Sequence, residues 1–240
     1  MDNPAIETIM SSITDFKVDE LPNSSFNVIL GKRRSGKSVL AEYLIKQMVA
    51  KKKIDIVFLF STTDAGFDII PKEHRFKTID KLHTLIENYR LINEYNKDEP
   101  KNKKIKIRTM CILDDMAVDL KSKSMNILES LSCNGRHLAY EPLSLHFCIL
   151  SQSLTKIPRV VRLNCDNIFF NNIASSIELE LILSENLYLL DSSIQGKRLA
   201  RRIYNDLVVL EDFGFIVIEN WRQNVKEYKD YIKTYKAILK

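Results

Sequence analysis

Residues Gly31-Lys32-Arg33-Arg34-Ser35-Gly36-Lys37-Ser38 satisfy every fixed position of the pattern G-x-x-x-x-G-K-[ST]. That pattern constrains the fold, because it works only between a buried strand and the start of a helix. Glycine at 31 and 36 lets the backbone take left-handed angles and turn its N–H groups inward around phosphate oxygens. The following helix adds partial positive charge at its N-terminus, Lys37 has the reach for terminal phosphates, and the Ser38 hydroxyl can ligate a bridging magnesium ion. Taken alone, such a string also arises in ordinary turns. The flanks decide: Phe26 to Leu30 reads as a buried strand, and Ser38 to Val49 as a helix. Gly31 to Ser38, with Val39 directly behind, are the expected binding residues for ATP and Mg2+.

The 240 residues suit one large α/β domain with small additions. Hydrophobic residues make up 45% and charged residues 28%, as in an ordinary folded chain. No apolar run approaches the roughly 18 residues of a spanning helix, so no membrane partner is expected. Met1-Asp2-Asn3-Pro4 lacks the basic start and apolar stretch of a secretory signal, which predicts an intracellular location. Cys111, Cys133, Cys148 and Cys165 are irregularly spaced, with no zinc pattern, and read as reduced thiols. Charge is uneven. Residues 1–22 carry Asp2, Glu7, Asp15, Asp19 and Glu20 against Lys17, a net −4, which leaves +9 on the remainder of a chain whose total is +5. Basic clusters at Lys51 to Lys53, Lys101 to Arg108, Lys197 to Arg202 and Lys226 to Lys240 admit a polyanion partner, with solvated helix faces as the alternative.

Strands and helices alternate along the chain. Ile54 to Phe60 reads as a strand and Asp80 to Tyr95 as an amphipathic helix; Thr109 to Leu113 is a strand that ends in Asp114-Asp115. In a parallel sheet, ligands bind outside the carboxyl ends of the strands. The two carboxylates and the phosphate loop should therefore meet. Asp114 would hold magnesium as in a Walker B motif, and Asp115 would orient or deprotonate the attacking water. Ser124 to Cys133 reads as a helix, and Leu143 to Leu150 as a strand ending in Ser151-Gln152, which places Gln152 as a polar sensor of the terminal phosphate. Beyond it come a short helix or turn at Pro158 to Arg162, a strand at Ile168 to Phe170, helices at Ile177 to Leu190 and Lys197 to Leu207, and a strand at Phe213 to Ile218. Asn224 to Leu239 reads as a charged helix or mixed tail. The expected division is an acidic segment at 1–24, a P-loop ATPase domain at 25–220 and a charged tail at 221–240. The architecture implied is α/β, a three-layer sandwich with a mainly parallel sheet.

Gly31 to Ser38, Ile112-Leu113-Asp114-Asp115-Met116, Gly135-Arg136-His137 and the run Ile149-Leu150-Ser151-Gln152 through Pro158, Arg162 and Asn164 together resemble a known set. They are similar to the genome-packaging ATPases of large eukaryotic DNA viruses and virophages, the poxvirus-type branch of the FtsK/HerA P-loop superfamily. The resemblance spans roughly residues 26 to 172 and includes Phe60-Ser61-Thr62-Thr63. It implies an ASCE/RecA-like fold with an additional strand, the one ending in Gln152, between the Walker A and Walker B strands. It also implies ATP hydrolysis at the interfaces of a homo-oligomeric ring, pentamer or hexamer, that translocates double-stranded DNA into a capsid. The implied setting is the host cytoplasm or a viral factory, with capsid proteins as further partners and association with the virion. An arginine donated to a neighbour's nucleotide is implied too, with Arg136 and Arg162 as candidates and Arg33 or Arg34 as donors in cis. The chain departs from the Asp-Glu ending common in the superfamily by carrying Asp115.

Two other readings stay open at this level. A small-molecule kinase would use Lys197-Arg198 and Arg201-Arg202 as a phosphate-clamping lid. A GTP switch would need Asn96-Lys97-Asp98 to read guanine, although that string sits in a polar connector.

Overall fold

The computed structural model describes residues 4–63, 66–116, 125–173, 175–188, 190–208 and 214–236. Its elements in chain order are α1 (Pro4–Ser12), β1 (Thr14–Asp15), β2 (Phe26–Leu30), α2 (Lys37–Ala50), β3 (Ile56–Ser61), β4 (Arg75–Phe76), α3 (Asp80–Asp98) and β5 (Arg108–Asp114). There follow α4 (Met125–Asn134), β6 (Ser144–Ser151), α5 (Arg159–Asn164), β7 (Asn167–Phe170), α6 (Ser176–Ile182), α7 (Ile194–Val208), β8 (Gly214–Glu219) and β9 (Ile232–Lys236). Among the described residues the strands form one nine-stranded sheet in the order β1-β9-β8-β7-β2-β6-β5-β3-β4. Only β8 runs against its neighbours.

The strand β6 lies between β2 and β5 and pairs in parallel with both. It is the additional strand that the resemblance implied. Every residue of β2 and of β6 is buried, as expected of strands covered on both faces. Side chains alternate between two cores. Ile29, Met110, Ile112, Cys148 and Leu150 face Leu40, Ala41, Leu44 and Met48 of α2. Val28, Leu30, Leu113, Phe147 and Ile149 face the other helices, among them Leu82, Ile86 and Tyr89 of α3 and Leu128 of α4. Each such aliphatic or aromatic side chain contributes about 1.5–3 kcal/mol through burial, so the three-layer arrangement follows from period-two alternation within strands that are apolar on both sides.

The interior cysteines follow the same logic: Cys111, Cys148 and Cys165 are buried and Cys133 is exposed, all as free thiols. Tyr89 anchors α3 to the sheet: its hydroxyl donates to Ser144 O at 2.9 Å and lies 2.7 Å from Thr109 Oγ1, whose own proton it can accept. The connector expected from Asn96 begins later, because α3 continues to Asp98 and buries Asn96. The amide of Asn96 donates to Ile105 O at 2.9 Å and accepts from Ile105 N at 2.8 Å. That side chain closes a turn, so it cannot serve a guanine-reading motif.

The C-terminal stretch corrects the sequence reading. In place of a charged helix or mixed tail there is a short turn at Tyr228–Asp230 and then β9, which pairs with β8 from Ile232 to Lys236. The strand formers Ile232, Thr234 and Tyr235 outweigh the intervening lysines. The N-terminal segment joins the same edge, with Thr14 opposite Lys233 and Asp15 opposite Thr234. Phe16 packs edge-on against both Phe169 and Tyr235 at centroid separations of 5.2 and 5.4 Å. The helix expected over Ile177 to Leu190 is α6 followed by a π-helical turn at Leu183–Leu187. Ser124 and Phe213, expected to open a helix and a strand, lie outside the described residues, as do residues 237–240.

Deleting residues 232–240 should be costly if β9 is part of the sheet. Ile232 and Tyr235 are buried, and losing both should remove about 4 kcal/mol or more, lowering the thermal midpoint by roughly 10 °C. A midpoint unchanged by the deletion, followed by circular dichroism, would mark the segment as a dispensable tail.

Candidate active site

The phosphate loop leaves β2 at Leu30 and enters α2 at Lys37. Gly36 caps the helix in the left-handed region at φ 87°, and Arg34 also has positive φ, at 64°. A Cβ at residue 31 would stand 2.4 Å from Ser35 Oγ, so any larger residue there would have to turn that hydroxyl aside. Gly31 N donates to Ser151 O at 3.3 Å, which ties the loop to the end of β6. Lys37 is buried and folds back, its Nζ donating to Gly31 O at 2.9 Å and to Lys32 O at 3.1 Å. Lys32, Arg33 and Arg34 are exposed, Ser38 is half-buried, and Val39 packs against the core beneath α2.

Asp114 is the last residue of β5 and is in register with Ser61 on one side and Leu150 on the other. Past it the chain turns sharply, because Asp115 adopts φ 51°, a left-handed angle that Asp tolerates better than most residues. In that position Asp115 Oδ2 accepts a hydrogen bond from Gln152 Nε2 at 2.8 Å. The paired acids, the phosphate loop and the glutamine therefore share one edge of the sheet. Two polar groups border them: Ser61, whose Oγ lies 3.3 Å from Thr63 Oγ1, and Asn171, whose N donates to Leu30 O at 3.3 Å. Asn171 was not singled out from sequence; its only signal is its place directly after the apolar run of β7.

A model of the family described as Poxvirus A32 protein matches residues 13–203. The chain belongs to that family. It is 25% identical over 216 residues to the uncharacterized protein 075L of Invertebrate iridescent virus 6, covering 88% of this chain and 76% of that protein. Among solved structures, the genome packaging NTPase B204 of Sulfolobus turreted icosahedral virus 2, in complex with ATP-gammaS, aligns with a TM-score of 0.57 at 19% identity. The alignment covers 91% of this chain and 100% of that one. The pCW3 conjugation coupling protein TcpA, with ATPgS, aligns with a TM-score of 0.58 at 16% identity, covering 90% of this chain and 60% of that one. At these identities the likeness is one of fold.

The arginines of this A32-family chain divide sharply. Arg162 is one of the two expected donors to a neighbouring nucleotide, but its guanidinium is committed inside its own chain. It donates to Glu185 through Nε at 3.0 Å and Nη2 at 2.8 Å, and to Ile157 O at 2.8 Å, with only 9% of the side chain exposed. Breaking such a buried pair costs several kcal/mol, so Arg162 would have to leave Glu185 and Ile157 O to reach a neighbouring nucleotide. Arg136 lies in the single turn Gly135–His137 that follows α4. That turn is at the edge where strands begin, since Gly135 lines a cavity of about 230 Å³ together with Phe26 and Leu145. A strand of five residues spans roughly 16 Å, and β2 stands between this turn and the chain's own phosphate loop. Three of the four basic residues of α7 are engaged away from the loop. Arg201 pairs with Glu180 at 2.9 Å, Arg202 with Asp206 at 3.7 Å, and Lys197 sits over the Tyr188 ring.

The site fits a nucleotide with a divalent cation. Among the described residues Ser35 Oγ is buried without a partner, and the first turn of α2 carries no acidic side chain to neutralise its N-terminus. Burial lowers the Lys37 pKa, while the carboxylates of Asp115 and Asp114 oppose that shift. Asp114 is raised from 3.8 to about 6, chiefly by burial and then by repulsion from Asp115, with Lys37 offsetting part of the rise. A raised carboxylate means that the folded chain retains a proton the unfolded chain has released. The stability Asp114 contributes is thus present at low pH and lost as pH rises from 3.8 through about 6.

Asp114→Asn should consequently stabilise the nucleotide-free protein at pH 8 by about 1–2 kcal/mol and leave it unchanged near pH 4. Thermal melts of both forms at the two pH values check this. Equal midpoints at pH 8 would show that the carboxylate bears no burial cost.

Proposed function

We propose that this A32-family ATPase is a motor that drives viral double-stranded DNA into a capsid, with the residues of the sheet edge dividing the work of hydrolysis. The observation that carries this reading is the meeting of the Gly31 to Ser38 loop, Asp114, Asp115 and Gln152 at one edge, with Gln152 bonded to Asp115 at 2.8 Å. A metabolite kinase has no use for that glutamine, and three of the four basic residues of α7 are engaged away from the loop.

Bound ATP and Mg2+ supply a transferable phosphoryl group with its charge partly neutralised. The loop N–H groups of Gly31 to Ser38 and the amino end of α2 cradle the phosphates. Lys37 exchanges its two carbonyl partners for phosphate oxygens, and Ser38 and Asp114 hold the cation. Asp115, steadied through Oδ2 by Gln152, receives the proton of the attacking water. Gln152 also senses whether the terminal phosphate is present. Its loss frees the loops at this edge to shift, and that shift is passed to basic segments gripping the DNA backbone. The ladder of β2 separates Arg136 from its own loop, so this arginine serves the nucleotide of the next subunit in a ring of five or six. The motor works in the host cytoplasm or viral factory, in contact with capsid proteins and the assembling virion. Among the described residues no helix is long and apolar enough to cross a membrane.

ATP turnover measured with and without double-stranded DNA tests the assignment, since a motor should be stimulated by DNA and a metabolite kinase indifferent. Lys37→Ala should abolish turnover and weaken ATP binding. Asp115→Asn should reduce turnover about 100-fold or more while retaining ATP. An Asp115→Asn protein turning over at the normal rate would remove Asp115 as the base.

Subunit mixing tests the arginine. Arg136→Ala and Lys37→Ala proteins, each inactive alone, should recover part of the activity when co-assembled, because some interfaces then join an intact loop to an intact arginine. No recovery in verified mixed assemblies would transfer the role to Arg33 or Arg34 acting in cis.

A further inference from the structure

Gln152 is exposed, and an exposed glutamine loses considerable rotamer freedom if its amide is to hold one position. What orders it lies outside the nucleotide site. Ser151 Oγ donates to Ser153 O at 2.8 Å and accepts from Ser153 N at 3.2 Å, which closes a tight turn around Gln152. Ser153 Oγ in turn donates to the carboxylate of Glu178 in α6. The Thr155 hydroxyl lies 2.8 Å from Ser153 Oγ and 3.3 Å from Glu178 Oε1.

Glu178 is the third residue of α6, where a glutamate commonly turns back onto the N-cap. The N-cap here is Ser175, whose Oγ accepts from Glu178 N at 3.3 Å, yet the Glu178 carboxylate reaches across to the loop after β6. The far end of that loop is held from the same direction. Arg162 bonds Ile157 O and is itself clamped by Glu185, on the π-helical turn that continues α6. One continuous helical segment thus grips both ends of the stretch from Gln152 to Pro158.

We propose that Glu178 is a positioning residue for hydrolysis: through Ser153 and Thr155 its carboxylate fixes the loop that keeps the Gln152 amide on Asp115. The proposal rests on the sensor role given to Gln152 above. Were Glu178 only a helix-end carboxylate, its removal would weaken α6 slightly and leave the chemistry untouched.

The test compares kcat and KM for MgATP in Gln152→Ala, Glu178→Gln and the double variant, with thermal midpoints to verify folding. Glu178→Gln should lower kcat about tenfold and shift KM by no more than about twofold, because a displaced polar group affects the reacting geometry more than ground-state binding. In the Gln152→Ala background the same substitution should cost nothing further. Ser153→Ala combined with Thr155→Ala should give the same split from the loop side, with α6 intact. Normal kcat in Glu178→Gln, or a loss undiminished in the Gln152→Ala background, overturns the positioning role and leaves the sensor reading standing. Normal turnover in Gln152→Ala overturns both.

Discussion

One lateral row of side chains sets the geometry of the nucleotide edge. Phe60, Leu113, Ile149, Val28 and Ile168 stand opposite one another across β3, β5, β6, β2 and β7, all facing the same core. Asp114 and Asp115 lie one and two residues beyond Leu113, Gln152 three beyond Ile149, and Gly31 three beyond Val28. A slip of one residue in any of these ladders would expose an entire apolar set to the wrong face. Hydrophobic register, with no contribution from the polar groups themselves, is what makes those groups neighbours.

Given that register, the edge collects charge that the fold does not fully compensate. Asp114 is held partly out of water beside a second carboxylate, and Lys37 is held out of water with two carbonyls as hydrogen-bond partners. Neither arrangement favours the empty protein. Both become favourable when a polyphosphate and a cation enter, because each buried group then faces an opposite charge. The burial that raises Asp114 thus prepares the site for its ligand, and the apolar faces on either side of the sheet supply the stability that permits it.

The parts legible in the sequence were those encoded over a few residues. The phosphate loop with its flanking strand and helix, Asp114-Asp115 after β5 and Gln152 after β6 each read from a local pattern of apolar run followed by polar group. What was not legible depends on partners distant in sequence. Arg162 reads as a candidate donor to a neighbouring nucleotide, and nothing in its own stretch shows that the π-helical turn after α6 brings Glu185 to it, 23 positions later. Ile232 to Lys236 reads as a charged tail because its lysines break the apolar run, and only the open edge of β8 makes a strand of it. Pairing between distant residues also tempers the uneven charge of the chain. Asp19 pairs with Lys51 at 2.8 Å and Glu20 with Arg222, so part of the acidity of the N-terminal segment is neutralised at home and does not add to a surface field. The place of the Gly135–His137 turn at the end of the sheet opposite the phosphate loop depends on how α4 packs, which no local pattern contains.

The pairing of β1 with β9 also dictates an order of assembly. Thr14 and Lys233 are 219 positions apart, whereas the strands that frame the nucleotide all lie between Phe26 and Phe170. A ribosome delivers β2, β5, β6 and β7 well before β9, so the ATP-binding edge can close while the N-terminal segment still lacks its ladder. Contacts of such long sequence separation are also the slow ones to form. The β1–β9 ladder is therefore the last part of the sheet that can pair.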